Sequence, residues 1–163
     1  MTTQELPVEI TQILRDTHFA YFCTTDRNNQ PHITPMFFVF DEESREAFVF
    51  THSGSKKIEN IKFNPKVCLT VDVRDPDNPF ENRGVMVQGE AVVEAAFHPF
   101  GISQDERLAR IFRSFYQKYP VIREMQFSAQ YAQKESTEVL IKVKARKMVY
   151  WKGPHFITVN VNH

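Results

Sequence analysis

Glycine is scarce in this chain of 163 residues: there are only five, and no G-x-G-x-x-G segment is present. That segment forms the phosphate-binding turn of dinucleotide folds, so its absence argues against a fold of that kind. The H-E-x-x-H, C-x-x-C and G-x-S-x-G signatures are missing as well. The sequence therefore offers no motif for a bound metal or an activated nucleophile, and we expect a cofactor to carry any difficult chemistry.

An excess of charge is also absent, because 20 basic residues balance 20 acidic ones. Proteins that bind nucleic-acid phosphate usually carry a basic excess, so we do not expect a nucleic-acid partner. Cys23 and Cys68 lie in separate apolar runs, and we predict that they are buried free thiols in a reducing, cytoplasmic compartment. No secretory signal is expected in the first ten residues, and no apolar run is long enough to span a membrane.

Aromatic residues are abundant at 13%, and fifteen of them are phenylalanine. The length predicts a single domain over residues 1–163, and apolar runs separated by polar turns predict consecutive strands. These strands are expected at Phe19–Thr24, His32–Phe40, Ala47–Thr51, Val67–Val73, Gly84–Glu94, Glu138–Trp151 and Phe156–Val161. Gly89, inside one of them, predicts a bulge or a close approach of backbones.

Helical patterns are few. One is expected from Pro7 to about Asp16, and a short one follows Ser55, with Ile58, Ile61 and Phe63 facing inward. A third is predicted to begin at a capping box formed by Ser103 and Glu106 and to end before Pro120. Consecutive strands with peripheral helices predict a mostly β fold, an antiparallel barrel or sandwich.

The segment around Thr51–Ser55 combines features that suit a phosphate. A strand ends in hydroxyl residues and a glycine, and Lys56 and Lys57 follow at the start of a predicted helix. A helix N-terminus presents unpaired N–H groups and favours negative charge, and lysine supplies a cation. The alternative is a solvated turn with two surface lysines. Thr51 could likewise be a simple strand-end residue.

The order of these segments resembles the FMN-binding split barrel of the pyridoxamine 5'-phosphate oxidase-like superfamily. The resemblance extends from about Phe19 to Glu94, with a weaker match at Val149–Phe156. It is carried by four segments in sequence: the strand ending in P-M-F-F at residues 35–38, the T-H-S-G-S-K-K turn at 51–57, the N-P-K-V segment at 64–67 that enters the next strand, and the V-M-V-Q-G-E-A strand at 85–91.

This resemblance implies an antiparallel six-stranded split barrel that forms a homodimer and binds FMN in a cleft between the subunits. Ser55, Lys56 and Lys57 are then expected to hold the FMN phosphate, and Phe50 and Thr51 to line the cofactor. Trp151 is expected to approach the flavin from the other subunit, although a lone tryptophan near a strand end is often only packing. The stretch that would run along the flavin ring comprises Thr34, Pro35 and Met36, continuing to Phe38, and Pro35 is expected to interrupt the sheet ladder there.

Two departures from the family pattern bear on the substrate. Ile33 and Phe38 stand where the oxidase has basic residues, and residues 152–161 contain no arginine of the expected substrate signature. We therefore predict a divergent relative with an unknown small-molecule substrate, binding FMN or a deazaflavin, rather than pyridoxamine phosphate oxidase itself. The alternatives are a flavin- or haem-binding carrier without turnover and a structural dimer with an empty cleft.

Overall fold

The computed structural model describes residues 5–96, 105–126 and 138–161 of the chain. The predicted turn at 98–102, Ser103 and residues 127–137 lie outside these ranges. The strands are β1 Phe19–Thr25, β2 Pro31–Asp41, β3 Glu46–His52, β4 Lys66–Val73, β5 Arg83–Ala96, β6 Glu138–Lys152 and β7 His155–Asn160. The helices are α1 Val8–Asp16, α2 Lys56–Phe63, α3 Glu106–Lys118 and α4 Pro120–Gln126, with a 3-10 turn at Pro79–Glu81.

The strands form one antiparallel sheet that closes on itself. Its order is β3-β2-β1-β4-β5-β6-β7, and an additional pairing of β3 with β6 closes the first six strands into a barrel. The mostly β, six-stranded barrel expected from the sequence is thus confirmed, with β7 added outside the closed ring. Alternate side chains fill the barrel interior, and Ile10, Ile13 and Leu14 of α1 pack into the same core.

The barrel opens between β2 and β3. The two strands pair only from Phe38, opposite Val49, to Asp41, opposite Glu46. Before Phe38, β2 pairs with β1 alone, and after Val49, β3 pairs with β6. One edge of β2 over residues 31–37 is therefore unpaired within the barrel, which gives the split its position.

Tyr119 completes the β1–β2 ladder at the point where β1 begins. Its buried hydroxyl accepts a hydrogen bond from the Phe38 N–H at 3.0 Å and lies 2.7 Å from the His18 carbonyl and 2.8 Å from the Phe38 carbonyl. Burial raises the pKa of this phenol to about 12. Ile111 and Phe115 of α3 pack beside it in a second cluster outside the barrel, against Val39, Phe48 and Leu140.

Gly89 lies at a bulge, as predicted. Gln88 pairs with Lys147 whereas Gly89 pairs with Ala145, so Arg146 is an extra residue on β6. A Cβ atom on Gly89 would overlap the Lys144 carbonyl, which explains the glycine. The extra residue also reverses which β6 side chains face inward.

Some local predictions were wrong. The α3 N-cap is Asp105, whose carboxylate accepts from the N–H groups of Arg107 and Leu108 at 2.9 and 3.3 Å, so the helix does not begin at a Ser103–Glu106 capping box. Phe63 is exposed at the last turn of α2, under the Arg27 guanidinium, because it lies two residues after Ile61 and so faces the opposite side of the helix. Cys23 and Cys68 are half-buried rather than buried.

Candidate functional site

The turn between β3 and α2 is built around two hydroxyls. The Thr51 hydroxyl donates to the Ser55 Oγ at 3.2 Å, and the Ser55 N–H bonds the His52 carbonyl at 3.0 Å. Ser55 is the N-cap of α2, yet its side chain makes no capping bond to the helix. The first-turn N–H groups of a helix have no partner within the helix. This corner therefore offers backbone donors and a hydroxyl at the positive end of the α2 dipole.

The two lysines at this corner have different surroundings. Lys56 is exposed, and its ammonium forms an ion pair with Glu59 at 3.1 Å. Lys57 is half-buried, and its burial lowers the pKa of its ammonium. Among the ion pairs found in the part of the chain that the structure describes, none involves Lys57, so its charge is available for an anion at this corner.

Two polar atoms on β2 are buried without a hydrogen-bond partner among the residues that the structure describes: the Thr34 hydroxyl and the Nδ1 of His32. Buried polar atoms are nearly always hydrogen-bonded, and an exception calls for an explanation such as a bound group. Thr34, His32 and Met36 share the inward face of β2, and Met36 packs against the barrel core. His32 was not among the residues predicted from the sequence, although the period of two along β2 places it beside Thr34.

The unpaired edge of β2 carries backbone groups beside this face. The N–H of Phe38 is directed to the Tyr119 hydroxyl on the β1 side, so alternation along the strand directs the carbonyls of Ile33, Pro35 and Phe37 to the open edge. Pro35 remains in register with Tyr21 of β1. The β1–β2 ladder thus continues through Pro35, whose missing N–H falls on the edge that has no strand partner, where a proline in a strand is expected.

Phe50 and Thr51 are neighbours on β3 but face opposite ways. The Phe50 ring stacks on Phe112 and contacts Phe115, with ring centroids 5.6 and 4.4 Å apart, so its side chain packs against helix α3. Thr51 shares the face of Val49, which belongs to the barrel core. The structure brings Thr51, Ser55 and Lys57 to one corner and leaves the Phe50 ring outside it.

Trp151 lies far from this corner within the same chain. Thr51 pairs with Val139 near the start of β6, whereas Trp151 is near its end, opposite Gly84. Trp151 lies 12 positions after Val139, a path of about 40 Å along a strand. Trp151 is half-buried and lies across Gly84, where a Cβ atom would overlap its ring. The structure therefore does not bring this tryptophan to the corner within one chain.

Within residues 5–96, 105–126 and 138–161, no group of three or more His, Cys, Asp or Glu side chains is placed to hold a metal ion. None of the helices there has the length and apolar character needed to cross a membrane.

Comparison with known proteins identifies a family. The family model described as pyridoxamine 5'-phosphate oxidase matches residues 6–152. No curated protein matches the chain.

Solved structures share the fold at low sequence identity. A conserved hypothetical protein from Mycobacterium tuberculosis is 20% identical with a TM-score of 0.65, over 99% of this chain and 94% of that one. General Stress Protein 26 from Bacillus anthracis is 22% identical with a TM-score of 0.57, over 93% of this chain and 96% of that one. The haem storage protein HutZ from Vibrio cholerae is 14% identical with a TM-score of 0.63, over 87% and 91% respectively.

Proposed function

The chain belongs to the pyridoxamine 5'-phosphate oxidase family, and from that premise we propose that it is an FMN-binding oxidoreductase whose flavin lies at a homodimer interface. The observation that carries the proposal is the corner at the split of the barrel. There the half-buried Lys57, which has no acidic partner among the described ion pairs, is the second residue of α2 and follows the hydrogen-bonded Thr51–Ser55 hydroxyl pair in the same turn.

The corner suits a phosphate monoester. Ser55 can donate its hydroxyl hydrogen to a phosphate oxygen while it accepts from Thr51, and the backbone N–H groups of the first helical turn add donors. Lys57 adds a charge in a partly desolvated position, where an ionic hydrogen bond is stronger than in water. Lys56 is less suited to bind the phosphate, because it is exposed and paired with Glu59.

The open edge of β2 suits the flat, polar ring of a flavin. The carbonyls on this edge can accept from the ring N–H, and the Thr34 hydroxyl would gain a partner that it lacks within the described part of the chain. Bound FMN would supply hydride or single-electron transfer. The protein's part is to fix the phosphate, orient the ring through the β2 edge and leave one ring face to a small substrate.

Pyridoxamine phosphate is a poor match for the substrate. The family's basic positions hold Ile33, which is exposed, and Phe38, which is buried. Neither can bind the phosphate of such a substrate. We therefore propose a different small molecule as the electron donor or acceptor.

Two features support a homodimer. Four large apolar side chains lie exposed on one outer face of β1 and β2, in register as Phe19 with Phe37 and with Tyr21 and Ile33 beside them. Contiguous exposed apolar surface of this kind marks a protein interface. A second copy seated on this face could also supply the Trp151 that the first copy keeps at the far end of β6.

The dimer is tested by measuring molar mass with light scattering during gel filtration. Phe19 and Ile33 are 54% and 61% exposed, so changing both to serine should leave the monomer folded and shift the mass from dimer to monomer. The matched control changes Phe63 and Val121, which are 51% and 54% exposed on α2 and α4, and should remain dimeric. A wild-type protein that elutes as a monomer would refute this part of the proposal.

Cofactor binding is tested by titrating the purified apoprotein with FMN and following flavin absorbance and fluorescence. Saturable binding, followed by bleaching of the bound flavin on anaerobic addition of NADH or NADPH, is the expected result. Binding without bleaching by any donor would favour a carrier over an enzyme. Absence of any flavin or deazaflavin binding would overturn the proposal.

Haem is the second candidate ligand, and one observation favours it. His32 has a buried Nδ1 without a partner on the inward face of β2, and histidine nitrogen is a common haem-iron ligand. The structural similarity to the haem storage protein HutZ agrees with this alternative. Titration with haemin separates the two: a sharp Soret band that is lost in His32→Ala would favour haem, whereas a broad band unchanged by that substitution would not.

A further inference from the structure

The two cysteines face each other across neighbouring strands. Cys23 on β1 and Cys68 on β4 are direct register partners of an antiparallel pair. Such partners have Cα atoms about 4.5–5.5 Å apart and side chains on the same face of the sheet. This separation lies within the range of about 4.4–6.8 Å that a disulfide requires. Both thiols are free in the structure.

The surroundings of the pair admit a small reagent. Cys23 and Cys68 are half-buried on the outer face of the barrel and line a groove of about 420 Å³. Lys66, Arg146 and Lys147 line the same groove together with Glu90, whose carboxylate pairs with Arg146 at 3.3 Å, so the lining carries a net positive charge. A groove with this charge suits an anionic low-molecular-weight disulfide such as oxidised glutathione.

We propose that Cys23 and Cys68 are a redox pair that forms a reversible cross-strand disulfide with a low-molecular-weight disulfide as the oxidant. One protein thiolate attacks the oxidant, forms a mixed disulfide and releases one thiol. The second protein thiolate then attacks the protein sulfur of that mixed disulfide and releases the second thiol. The protein loses two electrons and two protons, and the oxidant gains both.

The two sulfurs have similar surroundings. Burial raises the pKa of both thiols, and a hydrogen bond opposes this rise at each: the backbone N–H of His32 at Cys23 and the side chain of Thr70 at Cys68. Either thiol can therefore attack first, and the reaction accelerates as the pH rises.

The bond would have a consequence for the candidate cofactor site. Cys23 is the register partner of Ile33 on the proposed dimer face, so the oxidant reaches the pair in the separated subunit. The loop that the disulfide closes, residues 24–67, contains β2, β3 and α2. That loop holds Thr34, Thr51, Ser55 and Lys57. A crosslink at its base restrains the unfolded chain and so stabilises the folded segment.

The test uses the full chain, reduced and freed of reductant, and then incubated with oxidised glutathione near pH 8.5, the ordinary thiol pKa. The expected result is a loss of two hydrogens in the intact mass, a tryptic peptide pair linked through Cys23 and Cys68, and a higher Tm that dithiothreitol reverses. Cys23→Ser and Cys68→Ser should each show neither the mass loss nor the Tm rise. Because the peptide map of the unaltered chain is decisive by itself, a poorly folding variant does not weaken the test.

Three outcomes would overturn the proposal. They are thiols that both stay free, stable glutathione adducts on both cysteines, and disulfides that join two chains. Flavin binding is not part of these measurements, so their failure is distinguishable from failure of the proposed cofactor.

Discussion

Lys56 and Lys57 are adjacent in sequence but differ in what surrounds their ammonium groups, and this difference leads to a prediction. Lys57→Ala should weaken FMN binding by about 2 kcal/mol, roughly thirtyfold in Kd, because it removes an ionic hydrogen bond in a partly desolvated place. Lys56→Ala should cost less, since Lys56 is exposed and paired with Glu59. Calorimetric titration with FMN and with riboflavin measures both effects.

Riboflavin lacks the phosphate and should bind Lys57→Ala and wild type equally. Lys62→Ala is the matched control, because Lys62 is an exposed lysine in the last turn of the same helix. Equal losses of FMN and riboflavin affinity would show that Lys57 does not contact the phosphate.

Lys118 gives a prediction about pH. Its ammonium donates to the Leu14 carbonyl at 2.9 Å and lies 3.8 Å from the centre of the Phe38 ring, and burial lowers its pKa from 10.5 to about 8. Between these values the unfolded chain binds more protons than the folded one, so the free energy of unfolding should rise with pH from about 8 to 10. Lys118→Met keeps the aliphatic stem and should lack this rise.

Urea denaturation of both proteins at several pH values checks this prediction. The difference between wild type and Lys118→Met is the quantity to follow, because other groups, including the Tyr119 phenol with a pKa of about 12, titrate in both proteins. A difference that stays constant from pH 8 to 10 would show that the Lys118 ammonium keeps an ordinary pKa.

At the scale of elements, strand β5 holds Trp151 of β6 in place through a glycine. A Cβ atom at position 84 would overlap the Trp151 ring and lie 2.5 Å from the Val71 carbonyl. Gly84→Ala should therefore destabilise the fold by about 1–3 kcal/mol, as overpacking does, and shift the emission of the protein's single tryptophan. Chemical denaturation followed by fluorescence measures both.

The exposed Gly54 offers a control for this substitution, because a Cβ atom there would meet nothing within 4 Å. Gly54→Ala should change neither stability nor tryptophan emission. An unchanged emission maximum in Gly84→Ala would mean that the ring does not rest on this glycine.

Most elements could be predicted from the sequence because their patterns are local. The alternation along β6 and the spacing of Ile111 and Phe115 in α3 are set by burial on one face, which residue order displays directly. The cap of α3 was missed because Ser103 and Asp105 both suit an N-cap, and tertiary packing decides between them. The bulge at Gly89 was expected from its glycine, but the extra Arg146 on the partner strand, and hence the outward direction of Trp151, required the pairing register.

At the scale of the whole molecule, several residues of the candidate site could be predicted from the sequence, but the contacts that depend on the tertiary fold could not. Ser55 and Lys57 could be recognised because they follow one another in one turn. The unpaired Nδ1 of His32 could not be recognised from the sequence, because whether a buried atom has a hydrogen-bond partner depends on every element packed around it. The pairing of Cys23 with Cys68 could not be predicted either, because 44 residues separate them in the sequence and only the pairing of β1 with β4 brings them together.

The distance between Thr51 and Trp151 leads to a prediction about assembly. In a symmetric dimer with composite sites, each site would combine the Lys57 corner of one subunit with Trp151 of the other. If Lys57→Ala and Trp151→Ala each abolish tight FMN binding, a dimer of one such subunit with the other has one site that carries both defects and one with neither. Mixing the two variants under conditions that exchange subunits should therefore restore tight binding to about a quarter of all sites.

The measurement is an FMN titration of the re-equilibrated mixture, compared with each variant taken alone through the same exchange. Only a site built from two chains can recover in this way, because a site within one chain would keep its own defect in every pairing. Mass spectrometry of the intact dimers under native conditions verifies that mixed dimers formed. Mixed dimers without restored binding would place Trp151 outside the cofactor site, and its role would then be limited to packing against Gly84.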